Sequence, residues 1–180
     1  MGIAESELTY VIDDHDRLVR VDQGFYRFAA ENGWAGADST LGRSLWDFVA
    51  GEEMKKLQRM LVRRVRGEAG RVELPFRCDS PGARREMDIQ IAPSSAGTLV
   101  QFQARLRSEQ VREFQPLLDP EARRGADLIE MCGWCDRFQV DGEWVEVEEA
   151  ATRLKLFQRS EAPTISHGVC PDCTEMLMAA

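Results

Sequence analysis

Two cysteine pairs are the residues of this chain whose types and spacing could do chemistry. Residues 131–135 read MCGWC and residues 169–173 read VCPDC, so Cys132, Cys135, Cys170 and Cys173 form two Cys-x-x-Cys motifs with 34 residues between them. Two cysteines three positions apart in a tight turn can both aim at one metal, and two such turns complete a tetrahedral four-thiolate zinc site. The gap exceeds the common spacing of about 15–20 residues, so the segment between the pairs must fold into structure of its own. His167, one of only two histidines, stands just before the second pair. It either orients a knuckle by a hydrogen bond from behind the ligands or replaces a cysteine as ligand. Four thiolates already satisfy a tetrahedral ion, which favours the first role.

Zinc is the expected metal, and iron in a rubredoxin-like centre is the alternative, since CPDC suits it too. Disulfides compete for the same cysteines but are disfavoured in a reducing cytosol. A thioredoxin-like redox pair wants a single Cys-x-x-Cys opening a helix within a βαβ unit, whereas CGWC comes before a hairpin. Covalent haem attachment needs a histidine directly after the pair, and Asp136 and Thr174 stand there instead.

No catalytic constellation accompanies these pairs. His15 lies in the polar turn DDHDR, and neither it nor His167 has a nucleophile motif beside it. The chain lacks HExxH and a phosphate-cradling glycine loop. Cys78 falls on the apolar face of a strand, where a thiol is a small core residue. The expectation is a protein that is not an enzyme.

The elements that must position the cysteines are legible in part. RFQVDGEWVEV predicts a hairpin turning at Asp141-Gly142. EEAATRLKLFQ predicts an amphipathic helix with Ala151, Leu154 and Phe157 on one side, and TEMLMAA a last helix held against the hairpin that carries Trp144. A segment this small cannot bury enough apolar surface to fold unaided, so a metal staple is the expected remedy.

Upstream, LTYVIDD and RLVRV predict a strand pair, and GFYRFAAENGW and LGRSLWDFVAG predict short helices. EEMKKLQRMLVRRVRG predicts a longer helix with Met54, Leu57, Leu61 and Val65 inward and Gly67 past its end. Its opposite stripe of Lys55, Lys56, Arg59, Arg63 and Arg66 reads as a solvated face. Three strands with a period of two follow, bearing Val72, Leu74, Phe76 and Cys78, then Met87, Ile89 and Ile91, then Val100, Phe102, Ala104 and Leu106. Turns are expected over 80–85 and 93–97.

This order of elements, with the segment LGRSLWDFV, resembles the PAS sensory domain over residues 7–107. The resemblance implies an α+β fold: a PAS-like five-stranded antiparallel sheet with helices on one face. Residues 108–127 are expected to be a linker, and residues 128–180 a small zinc-ribbon-like hairpin-helix module. PAS domains commonly dimerise through their sheets or flanking helices, which implies a homodimer. No histidine occurs within residues 23–107 to hold haem, and the flavin motif NCRFLQ is absent. The pattern C-x-x-C…W…HG-x-CP-x-C also resembles a tail appended to bacterial PAS, GAF and receiver-type signalling proteins. That resemblance implies a metal site and a signalling context, with no reaction.

Charge narrows the partners. Of the net −8, residues 127–180 hold 11 acidic against 4 basic side chains. Nucleic-acid binding draws most of its affinity from phosphate neutralisation, so an acidic tail argues against a DNA-binding finger. MGIAESELTY has neither a signal-peptide pattern nor a persuasive myristoylation context, and no apolar run approaches the roughly 20 residues of a membrane span. A cytoplasmic bacterial signalling protein is expected, sensing a ligand or docking an unidentified signalling partner. A cysteine-based redox sensor is the alternative, and a nucleic-acid-associated zinc-ribbon factor ranks below both.

Overall fold

The computed structural model describes residues 7–94 and 98–180. The opening Met1 and Gly2, and the last three residues of the turn expected over 93–97, lie outside them. Strands β1 (Glu7–Ile12), β2 (Leu18–Val21), β3 (Val72–Arg77), β4 (Ala83–Pro93) and β5 (Val100–Val111) form an antiparallel sheet in the order β2-β1-β5-β4-β3. Alternation places every second residue on one face. The register lines these residues into rows: Val72 faces Ile91, Ile91 faces Phe102, and Phe102 faces Tyr10. Leu74, Ile89, Ala104 and Leu8 make the next row.

Two helices cover that face. Helix α1 (Gln23–Glu31) starts where the Asp22 carboxylate accepts the Phe25 N–H at 2.8 Å. Helix α2 (Glu52–Arg64) buries Met54, Leu61 and Val62, and its acidic first turn and basic last turn suit the helix dipole. It does not stop at Gly67. The chain continues as a π turn over Val65–Ala69, and Gly70, at φ 64°, breaks it. Most of the basic stripe is occupied on the surface: Lys55 pairs with Glu52, Arg66 with Asp16, and Arg59 lies over the Trp46 ring. The sheet and its helices are the α+β architecture that the PAS resemblance implied.

Strand β5 runs past residue 107 to Val111, and strand β6 (Arg124–Cys132) starts before 128. Between them a 3-10 turn over Pro116–Leu118 buries Leu117 completely. Strands β7 (Phe138–Val140), β8 (Glu143–Val145) and β9 (Ala162–Gly168) join β6 in a second sheet, ordered β8-β7-β6-β9. The hairpin turns at Asp141-Gly142 as expected, with φ of 51° and 85° at the two left-handed positions that a type I′ turn requires.

The parallel pairing of β9 with β6, which sets Ile129 beside Ile165 and Met131 beside His167, was not in the hairpin-helix expectation. Helix α3 (Val147–Arg153) is also shorter than expected. Lys155 adopts a left-handed φ of 54°, and a 3-10 turn over Leu156–Gln158 follows. That break puts Leu156 inward beside Ala150 and Ala151 and leaves Phe157 66% exposed.

Helix α4 (Pro171–Ala179) packs on α2. Cys132, Trp134, Cys170, Cys173 and Leu177 belong to the same buried cluster as Met54, Leu61, Leu74 and Phe102. Trp144 touches this cluster from its periphery. The tail therefore completes the core of the first sheet's helical face. It also covers the rim of edge strand β3: the Arg77 N–H donates to the Trp134 carbonyl at 2.9 Å, and the Trp134 indole N–H donates to the Pro75 carbonyl at 2.8 Å. Proline on that strand fits an edge, where its missing N–H breaks no ladder.

Candidate metal centre

Each knuckle is shaped by its own backbone. At the end of β6, the Cys132 N–H donates to the Arg137 carbonyl at 2.8 Å and the Asp136 N–H to the Cys132 carbonyl at 3.0 Å. Asp136 sits at φ 56° and closes this tight turn. The Gly133 N–H donates to the Gly168 carbonyl at 3.0 Å, which brings the turn beside the residues that lead into the second pair. In that second pair, Cys170 is the N-cap of α4 and Pro171 its first residue. Cys173 then falls in the first helical turn, and its side-chain hydrogen bonds with Cys132 and Cys135 raise its pKa, so it keeps its proton beside the Cys132 thiolate.

The four sulfurs converge. The Sγ atoms of Cys132, Cys135, Cys170 and Cys173 all lie within 4.8 Å of one another, three of the residues buried and Cys135 half-buried. Cys135 and Cys170 are 3.7 Å apart at sulfur. Zinc–sulfur bonds of about 2.3 Å in a tetrahedron give edges of about 3.8 Å, so the donor set fits such an ion. Hydrogen bonds from the Cys135 and Cys173 side chains, then from the backbone N–H groups of Cys170 and Trp134, hold Cys132 well below the usual thiol range. Cys132 is thus the ready thiolate, the form that binds metal.

Arg137 was not singled out by sequence, yet it frames the cluster. Its Nε lies 3.3 Å from Cys135 Sγ, and one Nη is 3.2 Å from Cys170 Sγ and 2.8 Å from the Asp172 carboxylate. A guanidinium there would offset the surplus negative charge of four thiolates if they held a divalent cation. Its position two residues after a Cys-x-x-Cys was the available signal. Trp134, inside the first pair, is the other omission, and its links to β3 are invisible without the fold.

The remaining candidates lie apart. His167 is half-buried on β9 and outside the four-sulfur group; burial lowers its pKa and favours the neutral ring. Its carbonyl presses on Gly51, where a Cβ would come within 2.5 Å of that oxygen. His15 is exposed in its turn, as expected. Cys78 is only partly accessible, and burial pushes its thiol up to about 12.

A buried ion network joins the centre to the first sheet. Asp79, fully buried, pairs with Arg77 and with Arg112 at 3.1 Å. Arg77 reaches on to Glu146 and Arg112 to Glu148, both at the start of α3. The Asp79 N–H donates to the carboxylate of Asp136, the neighbour of Cys135, at 2.7 Å.

No family model matches the chain, and no curated protein matches it. Among solved structures it is similar to the PAS domain of Bordetella pertussis BvgS, at 18% identity and a TM-score of 0.40 over 56% of this chain and 75% of that one. The PAS domain of an HTR-like protein from Haloarcula marismortui is similar at 22% identity and a TM-score of 0.36, covering 56% and 79% of the two chains. A sensory box sensor histidine kinase from Vibrio cholerae is similar at 11% identity and a TM-score of 0.38, covering 59% and 83%. Among the described residues, no helix is long and apolar enough to cross a membrane.

Proposed function

We propose that the chain is a non-enzymatic, cytoplasmic bacterial signal-transduction protein. Its PAS-like unit senses a small molecule or docks a signalling partner, and its four thiolates hold a structural zinc ion. The observation that carries this reading is the convergence of the four Sγ atoms within 4.8 Å on a core that the tail shares with the sheet. Four protein ligands close the shell of a tetrahedral ion and leave no position for a substrate, which suits a staple. When bound, zinc would supply four bonds and positive charge. The chain's own residues do the rest: Arg137 and the Cys170 N–H donate to the sulfurs, and Trp134 ties the knuckle to β3. A partner protein and a second copy of the chain are the expected associates.

Metal analysis of purified protein tests the proposal, with about one zinc per chain expected. Iron at that stoichiometry would move the site to the rubredoxin-like alternative, and a folded tail with no metal would overturn it.

A redox sensor is the second reading, favoured by the half-buried Cys135 at 3.7 Å from Cys170. Hydrogen peroxide and two thiolates would give a disulfide and two hydroxide ions, and the metal would leave. Zinc content and thiol count unchanged after mild peroxide would remove this reading.

A further inference from the structure

The first sheet, α1 and the metal knuckle enclose a cavity of about 510 Å³. That volume falls in the range of about 300–1,000 Å³ typical of small-molecule sites. Its walls are mainly apolar, with Leu8, Phe28, Met87, Ile89 and Ala104 among them. The charged residues that also line it, Arg77, Asp79 and Asp136, are engaged with one another: Arg77 pairs with Asp79, whose N–H donates to the Asp136 carboxylate. Tyr10 projects into it, stacked on Phe102 at 4.7 Å and edge-on to Phe25 at 6.2 Å. Tyr10 is half-buried, and its hydroxyl meets no hydrogen-bond partner among the described residues. A second space of about 510 Å³ adjoins it, sharing Tyr10, Phe25, Trp34, Phe48 and Gln58. Gln58, the Tyr10 hydroxyl and the Trp34 indole N–H are the polar side-chain groups on this shared stretch of wall.

One wall of the first space does not come from the PAS-like unit. Gly133 and Trp134 line it, and both lie between the ligand cysteines Cys132 and Cys135. Trp134 is 4% exposed, sits 5.9 Å from the Phe76 ring, and is fixed by its hydrogen bond to Pro75. Two metal–sulfur bonds, one on each side, would pin the same two residues. A molecule packed on the Trp134 ring and an ion held by the flanking thiolates therefore order one short loop. Whichever binds first meets the ordering cost of that loop, and the other binds more tightly.

We propose that the cavity takes an uncharged, mainly aromatic small molecule with one hydrogen-bonding group, and that its binding is coupled to metal in the four-thiol cluster through Trp134. The inference rests on the metal reading above and adds the occupant and the linkage. Linkage is reciprocal: the factor by which metal tightens the small molecule equals the factor by which the small molecule tightens metal.

The test uses the full chain and 1-aminoanthracene, a neutral fluorescent aromatic amine, with zinc content measured in every sample. Zinc-loaded protein is expected to bind the probe about tenfold more tightly than chelated protein, a factor within the usual span of allosteric coupling. Saturating probe should raise zinc affinity in competition with a chromophoric chelator by the same factor. Ala104→Phe, which fills the cavity, should abolish probe binding and keep about one zinc per chain. Trp134→Phe, which keeps a ring but loses the bond to Pro75, should keep both ligands and bring the coupling factor towards one.

Equal probe affinity with and without zinc, in protein that does load zinc, overturns the coupling and leaves the metal reading intact. No probe binding to zinc-loaded protein overturns the occupant. Absence of zinc uptake overturns the metal reading itself. If Ala104→Phe does not fold, the wild-type linkage and Trp134→Phe decide the matter.

Discussion

The Sγ atoms of Cys135 and Cys170 stand 3.7 Å apart although 35 positions separate them in the chain. That distance is close to a tetrahedral edge around zinc, and the parallel pairing of β6 with β9 brings the two turns together. Cys170→Ala is expected to weaken zinc by more than the about 10–100-fold that loss of an outer hydrogen-bonding partner costs. Zinc content after dialysis checks this, and full retention of the metal would contradict it.

Arg137 donates towards two of the four sulfurs. Arg137→Ala should keep the stoichiometry at about one zinc and lower affinity by about tenfold. Competition with a chromophoric chelator reads the change. An unaltered affinity would reduce Arg137 to its surface pair with Asp172.

Metal removal should be felt well beyond the tail. At a free metal level about 1,000 times its dissociation constant, binding stabilises the folded state by about 4 kcal/mol. For a chain of this size that is about 10 °C in Tm. Because Cys132 and Cys173 share a cluster with Met54 and Phe102, one transition is expected before and after chelation. Circular dichroism melts would show it, and an unmoved Tm would argue against the staple.

Asp79 is fully buried between Arg77 and Arg112, each only 9% exposed at the side chain. Asp79→Ala leaves two buried guanidinium groups without that partner and should cost about 3–5 kcal/mol. Glu146, at 37% side-chain exposure, is screened by solvent, and Glu146→Gln should cost about 1 kcal/mol or less. Urea midpoints of the two variants rank them, and the reverse order would refute the network's centre of weight.

Alkaline pH should destabilise the fold through Cys78. Burial raises its folded pKa to about 12 from an ordinary value near 9. Between those values the unfolded chain loses the proton first, so stability falls as pH rises from about 9 to 12, by at most about 1.4 kcal/mol per pH unit for this group. Tyr10, also raised by burial, adds to the loss above pH 10. Cys78→Ala should flatten the first part of that decline in denaturation curves, and an identical slope would discount the thiol.

The cysteine cluster was legible because its two Cys-x-x-Cys spacings are those that a metal site favours, and Asp141-Gly142 because a type I′ turn needs two left-handed residues in a row. The strands β3, β4 and β5 were legible because one face is buried and the period of two survives in the residues. Strand β9 was not: APTISHG has no clean alternation, and its parallel partner β6 lies far away in the chain. The end of α3 was hidden for another reason. Lys155 takes a left-handed turn that usually falls to glycine or asparagine, so no breaker signals it and Phe157 reads as inward. Arg137 and Trp134 carry their meaning only across the junction, in contacts with sulfur and with β3.

The placement of Trp134 along the rim of β3 has a consequence for how the molecule ages in a cell. An uncovered edge strand is a template on which another copy can lay its own strand. While the knuckle is closed, the Arg77 N–H and the Pro75 carbonyl are taken. Were the knuckle to open through loss of the proposed metal, both groups would be freed together, and the chain would meet a colloidal hazard, copy adding to copy.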